Sequence, residues 1–272
     1  MRRTLGLATL VAGAWAAVAV AAGGGPTPGI TFGQPGVLDA SGDVRYQALT
    51  AGRGTTVAAI RVRDGAVLRW RYLGGTFGIP AVAWDGSTGG LARNGRRLVL
   101  SSFPSHGLAV SRFVVLHPRT LRVRSRVTLR GAFAFDALSP GGSLMYLLQY
   151  LGGPQSTRYA VRVLNLNTKQ LYPGSIVDRR EPDEKMTGIA VTRAESHSGA
   201  WAYTLYSRAG QRPFVHALDT VQRRAFCVDL PLRTRANVIS LVKMRVSGAE
   251  LLLRLRGKTV ARVDTETFEV RR

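Results

Sequence analysis

The chain has 272 residues, 45% hydrophobic and 8% aromatic, with a mean hydropathy of +0.02, which is enough apolar material to bury a globular core and excludes a fully disordered protein. Its 38 Lys and Arg against 16 Asp and Glu leave a formal charge of +22, yet only four of the basic residues are lysines: Lys169, Lys185, Lys243 and Lys258. An arginine surplus alongside abundant Ala, Gly and Val also follows from GC-rich coding, so the charge alone does not mark a nucleic-acid binder.

At the N-terminus, Arg2 and Arg3 precede an uncharged run from Leu5 to Ala22, and Ala17, Ala19 and Ala21 offer A-x-A cleavage sites, the pattern of a signal peptide over residues 1–22. Eighteen apolar residues also sit at the lower edge of the roughly 17–25 that span a bilayer, so an uncleaved anchor over residues 5–22 is the alternative, and with it membrane association. Both place the remainder outside the cytoplasm, secreted or extracytoplasmic. No lipobox cysteine lies near the cleavage region. Residues 23–36, opening with Gly23-Gly24-Gly25-Pro26-Thr27-Pro28-Gly29, are expected to be a linker, because glycine lacks a steric preference and proline lacks a donor.

From residue 37 to 272, short alternating apolar runs are broken every eight to twelve residues by turn residues, which predicts an all-β fold with little helix. A glycine in a polar turn is followed four residues later by an apolar strand residue in five places: Gly42 and Tyr46, Gly95 and Val99, Gly142 and Tyr146, Gly199 and Tyr203, Gly248 and Leu252. The glycines are 53, 47, 57 and 49 residues apart. Each turn leads through a first strand to a second one that closes at Asp64-Gly65, His117-Pro118, Asn165 to Thr168, Asp219-Thr220 or Asp264-Thr265, and a final strand follows. With inner strands at Ala81 to Trp84, Phe133 to Phe135, Gly188 to Thr192 and Ile239 to Met244, each unit has four strands. Such a repeat predicts a β-propeller of about five four-stranded blades. A β-sandwich is the alternative, but about twenty strands is far more than one sandwich domain usually holds.

The stretch Phe135-Asp136-Ala137-Leu138-Ser139-Pro140-Gly141-Gly142-Ser143-Leu144-Met145-Tyr146 resembles the "SPDG…LY" blade motif of secreted YVTN, lactonase-like and TolB-like propeller repeat proteins, with Gly141 where Asp is usual. Ala217-Leu218-Asp219-Thr220 and Arg262-Val263-Asp264-Thr265 resemble the "V-x-D-x-x-T" turn of those WD-repeat-like units, and Met186 to Pro231 is similar to actinobacterial propellers of unassigned function. The resemblance implies a propeller fold. Its motifs specify hairpin turns and packed strands, so they carry no catalytic residue over.

Two groups of residues stand out as candidate sites. Asp85 and Asp136 end inner strands, and Arg193 and Lys243 hold similar places in the fourth and fifth units, so all four are candidates for a ligand site at the mouth of the axis. The alternative role for the two aspartates is to accept hydrogen bonds from turn amides. His106, His117, His197 and His216 lack metal-ligand spacing, so no metal and no cofactor is expected. Cys227, in Ala225-Phe226-Cys227-Val228, is expected to be a buried thiol, and as the sole cysteine it excludes an internal disulfide.

The second group is basic. Between Arg45 and Arg130 there are 15 basic residues against two acidic ones, Asp64 and Asp85. Arg69 and Arg71 alternate with Trp70 and Tyr72, while Arg122, Arg124, Arg126 and Arg130 alternate with Val123, Ser125, Val127 and Leu129, which places each arginine row on one face of an outer strand. Charges there either protect an edge against aggregation or form a belt for an anionic cell-envelope polymer. Nucleic acid is not expected as a partner, given the export signal and the lack of an aromatic stacking platform. The chain therefore reads as an exported, non-catalytic binding or interaction module for a protein or an anionic envelope polymer. A lactonase-like or quinoprotein-like propeller enzyme is the alternative.

Overall fold

The computed structural model describes residues 30–31, 36–102, 110–152, 158–182, 186–232 and 236–272. The segment expected to be a signal peptide or anchor, the seven residues that open the expected linker, and His106 lie outside these. Among the described residues no helix is long and apolar enough to cross a membrane.

Turn chemistry dictates the architecture. Gly42, Gly95, Gly142, Gly199 and Gly248 all have φ between 60° and 82°, the left-handed region that glycine enters without a Cβ penalty; four of them close the hairpin between the first two strands of a sheet, and Gly95 closes the turn between the bridged residues Leu91 and Leu98. At the next reversal, Asn165, Asp219 and Asp264 each use Oδ1 to accept amides two and three residues on. Apolar alternation between these turns makes the strands, and the result is a five-bladed β-propeller.

The first blade runs Val37–Leu38, Val44–Ala51, Gly54–Arg61 and Val67–Gly74, innermost to outermost. The third runs Phe133–Leu138, Leu144–Tyr150, Tyr159–Asn165 and Gln170–Leu171, and the fourth Ile189–Glu195, Trp201–Ser207, Phe214–Asp219 and Arg224–Asp229. The fifth runs Val242–Ser247, Glu250–Leu255, Lys258–Asp264 and Val270–Arg271. All four sheets are antiparallel, with strands paired in sequence order.

The second blade departs from this pattern. Its sheet has three strands, Leu98–Ser101, Val110–Leu116 and Val123–Arg130. The innermost position is split: Gly78 pairs with Ser101 and Leu91 with Leu98, while 81–88 leaves the sheet. The strand expected over Ala81 to Trp84 is therefore not an inner strand. Asp85-Gly86-Ser87 closes a tight turn there, with Gly86 at φ 84°, and folds the segment into a small hairpin bridged at Ala81 and Thr88. Ile30–Thr31, within the stretch expected as linker, pairs antiparallel with Ile79–Pro80 beside this split. In the fifth unit Ile239 ends a short helix, Ala236–Ile239, and the strand starts only at Val242.

Apolar faces pack blade to blade. Val57 and Ala59 meet Val114 and Leu116 between blades one and two; Phe113 and Val127 meet Leu147 and Leu164 between two and three. Tyr146 and Val161 meet Tyr206 and Phe214 between three and four, and Leu205 and Val215 meet Leu251 and Leu253 between four and five. Among the described residues no such cluster joins the fifth blade to the first. On the face of the first blade turned away from the second, Trp70 and Tyr72 are 67% and 51% exposed, so these partners of the arginine row stand in solvent. Cys227 is half-buried rather than buried; its amide donates to Asp178 Oδ2 and its Sγ lies 3.8 Å from Met186 Sδ.

Candidate functional site

The hairpin 81–88 spans the centre of the ring, because its tip docks on the fourth blade. The amides of Trp84 and Asp85 donate to the carbonyls of Ala190 and Val191, at 2.8 and 3.0 Å. A β-bulge between Ala190 and Thr192 leaves Val191 out of the strand ladder, so its carbonyl is free to accept. Asp85 then fixes the hairpin. Its Oδ1 accepts the amide and hydroxyl of Ser87, at 3.0 and 2.6 Å, and its Oδ2 accepts Thr192 Oγ1 at 2.7 Å and Lys243 Nζ at 2.9 Å. Burial pushes the Asp85 carboxyl up, but the bonds from Ser87, Lys243 and Thr192 outweigh it and hold the group below its ordinary range.

Asp136 and Arg193 form a second pair one residue along from Thr192. A bulge between Phe135 and Ala137 makes Asp136 the extra residue of its strand, turning both its carbonyl and its carboxylate toward the fourth blade. The Arg193 guanidinium donates to both, to the carbonyl at 2.5 Å, and its Nε donates to Thr204 Oγ1 at 3.1 Å. Both side chains are buried, and Asp136 Oδ2 has no hydrogen-bond partner among the described residues. The four axis residues therefore resolve into two ion pairs, Asp85 with Lys243 and Asp136 with Arg193, rather than converging on one open site. Among the described residues no three of His, Cys, Asp and Glu are grouped as metal ligands would be.

Beyond these pairs, toward the face of the Gly42, Gly95, Gly142 and Gly199 turns, a cavity of about 440 Å³ opens at the axis, lined by Gly86 to Arg93, Arg45, Phe135 and Glu195. Glu195 is exposed to this cavity and forms no ion pair among the described residues. The surrounding protein nevertheless desolvates its carboxyl and raises it above the ordinary range; Asp136 adds to the rise while Arg193 and Arg93 oppose it.

The basic residues are arranged by strand register. Arg71 lies opposite Val57 and Arg69 opposite Ala59, so both share the face that packs against the second blade. Arg126 lies opposite Val114 and Arg130 opposite Val110, on the second-blade face that packs against the first, and Arg112 shares it. The Arg126 guanidinium sits 5.8 Å from the ring centre of Phe77, a core residue of that same interface. Arg69 and Arg71 thus face Arg112, Arg126 and Arg130 across the outer groove between blades one and two. Among the described residues none of these five forms an ion pair with a carboxylate.

Arg124 departs from the expected row. Register slips between Val115 and Leu116, making Arg124 the extra residue of a bulge, and it lies within electrostatic range of Arg97, whose guanidinium reaches Asn167 of the third blade. Arg122 precedes the strand and is exposed. At the turn end of the groove a second cavity, of about 490 Å³, is lined by Tyr46, Arg69, Arg93, Asn94 and Arg119. Sequence reasoning missed Arg112, Arg119, Arg93, Tyr46 and Glu195. The period-two step of Arg112 beside Ser111 and Phe113 was a usable signal; the other four are joined only by blade packing.

No family model matches the chain, and no curated protein does. Solved structures resemble it at low identity. The β-propeller domain of Cps50 (Swd1) from Myceliophteria thermophila is 10% identical, with a TM-score of 0.51 over 85% of this chain and 65% of that one. Hydrazine synthase of Kuenenia stuttgartiensis is 11% identical, with a TM-score of 0.52 over 93% of this chain and 68% of that one. The dihydro-heme d1 dehydrogenase NirN in complex with DHE is 9% identical, with a TM-score of 0.51 over 89% of this chain and 45% of that one. The chain thus spans a little under two thirds of the Swd1 propeller domain. At these identities the likeness is one of fold, and the fold is the β-propeller.

Proposed function

We propose that the chain is an exported binding module that holds an anionic cell-envelope polymer in the arginine groove between its first two blades. The observation that carries this reading is the register: Arg69 and Arg71 face Arg112, Arg126 and Arg130, and no carboxylate neutralises them among the described residues. Two opposed rows of guanidinium groups form a linear cationic track, and guanidinium is the side chain best matched to phosphate geometry. The axis charges are already paired, so the fold commits Asp85, Asp136, Arg193 and Lys243 to holding its centre together. The Arg2-Arg3 and Leu5 to Ala22 pattern supports export.

Titration with long-chain polyphosphate over a range of salt concentrations tests the groove. Affinity should fall linearly with the logarithm of salt, and R69Q/R71Q/R126Q/R130Q should flatten the slope by up to about 3, at roughly 0.7 per lost phosphate contact. R122Q/R124Q, which lies off the groove, should bind like the parent. Equal slopes for the parent and the groove variant would leave the arginines as edge protection only.

A further inference from the structure

The axis cavity and the groove-end cavity both touch Ala40, Leu91 and Arg93, so they adjoin and form one cleft on the turn face. Its two ends differ in charge. The outer end presents Arg69 and Arg119 beside Asn94 and the Tyr46 ring, with Arg93 at the junction. Asp39 is the carboxylate of that wall, but its Oδ1 is engaged by the amides of Asp43 and Val44 and the hydroxyl of Ser41, which hold the turn. The inner end presents Glu195, which has no ion pair or hydrogen bond among the described residues, and Arg45, whose Nε is buried with no acceptor.

Tyr46 provides the second observation that points to a ligand. The residue is 5% exposed, lines the outer cavity, and its hydroxyl makes no hydrogen bond among the described residues. The hydroxyl is not among the fully buried polar atoms, so it stands at the cavity surface, where it can donate to a bound ligand. Arg69 and Arg119, and Asp39 with the opposite sign, all act on that hydroxyl electrostatically, and all line the same cavity with it.

A ligand that satisfies the whole cleft needs an anion at the outer end, a cation at the inner end and a hydroxyl or carbonyl between them for Arg45. We propose that the cleft takes a phosphorylated amino sugar, with its phosphate on Arg69, Arg119 and Tyr46 and its protonated amine on Glu195. This rests on the polyanion reading and specifies it: the amino-sugar phosphate would be a unit of the polymer, seated at the cleft, while the chain beyond it lies along the groove.

Calorimetric titration with glucosamine 6-phosphate, glucose 6-phosphate and glucosamine separates the contributions, since glucosamine 6-phosphate differs from each of the other two by one group. Glucosamine 6-phosphate should bind at least tenfold tighter than either of the others. E195Q should abolish its advantage over glucose 6-phosphate, and R119Q should weaken both phosphates at least tenfold. Glu195 and Arg119 are exposed, so both variants should fold, and their unfolding midpoints verify this. Equal binding of the two phosphorylated sugars, or an R119Q variant that matches the parent, overturns the proposal. If the parent binds polyphosphate but neither sugar phosphate, the cleft assignment fails and the groove reading stands. If polyphosphate also fails to bind, both fall.

Discussion

The carboxylate of Asp85 and the ammonium of Lys243 are 158 residues apart in the chain and 2.9 Å apart in space. Their bond ties a hairpin from the second blade to the inner strand of the fifth. The two partners are not equivalent, because Lys243 is 62% exposed while Asp85 is 10% exposed and holds three further bonds. Lys243→Gln should therefore cost no more than about 1 kcal/mol, as for other exposed pairs. Asp85→Ala should cost about 1–3 kcal/mol, since it leaves Ser87 and Thr192 unsatisfied. Urea unfolding of both variants checks the order, and equal losses would show that the hairpin is not held through Asp85.

The Asp136 and Arg193 pair is the stronger structural bond. Arg193→Ala would strand a buried carboxylate and should cost about 3–5 kcal/mol. Replacing both with apolar groups, Asp136→Leu with Arg193→Met, should recover most of that loss, because the desolvation penalty of both charges disappears with them. Chemical denaturation of the single and double variants measures the difference. A double variant no more stable than Arg193→Ala would mean that the bonds to the Asp136 carbonyl and Thr204 matter more than the charge.

Acid should unfold the protein through carboxylates whose folded forms favour ionisation. Asp85 and Asp178 are each pushed up by burial and pulled further down by their bonds, Asp178 by Arg180 and the Cys227 amide. Their folded pKa values lie below the unfolded value of about 4, so their contribution is complete above that pH and is lost as the pH falls through the folded values. Glu195 has the opposite sign. Its raised carboxyl favours the fold while protonated, and that benefit is lost as the pH rises above its unfolded value through its folded one. Glu195→Gln should therefore raise Tm at pH 7 relative to the parent and leave it nearly unchanged at pH 4. A thermal-melt series from pH 3 to 7 reads both effects.

Trp70 and Tyr72 lie on a blade face that no neighbour covers among the described residues. Trp70→Ser should change stability by no more than about 0.5 kcal/mol, the usual range for a solvent-facing substitution. A loss of several kcal/mol in thermal unfolding would show that another element buries the ring.

Much of the fold was legible because blade architecture is written in local chemistry. The five turn glycines, the side-chain-closed turns at Asn165, Asp219 and Asp264, and the alternation between them each act over a few residues, so they survive in one dimension. The errors fell where local signals competed. Ala81 to Trp84 looks like a strand, but the Asp85-Gly86-Ser87 turn and the carbonyls that Ala190 and Val191 offer to the hairpin tip draw it off its sheet. Arg124 looks like a member of a regular row, but one extra residue in the strand shifts it out of phase with Arg126. A period-two pattern carries no marker for a bulge, which depends on what the neighbouring strand offers.

The sequence by itself determined that five hairpin-built sheets would form and that each would carry an apolar stripe needing a neighbour. Only the tertiary structure decided which charges meet. Asp85 finds Lys243, Asp136 finds Arg193, and two arginine rows from different blades face each other across one groove. The physical reason is that turns and alternation are satisfied within a hairpin, whereas these pairings exist only after buried apolar faces have locked the blades side by side.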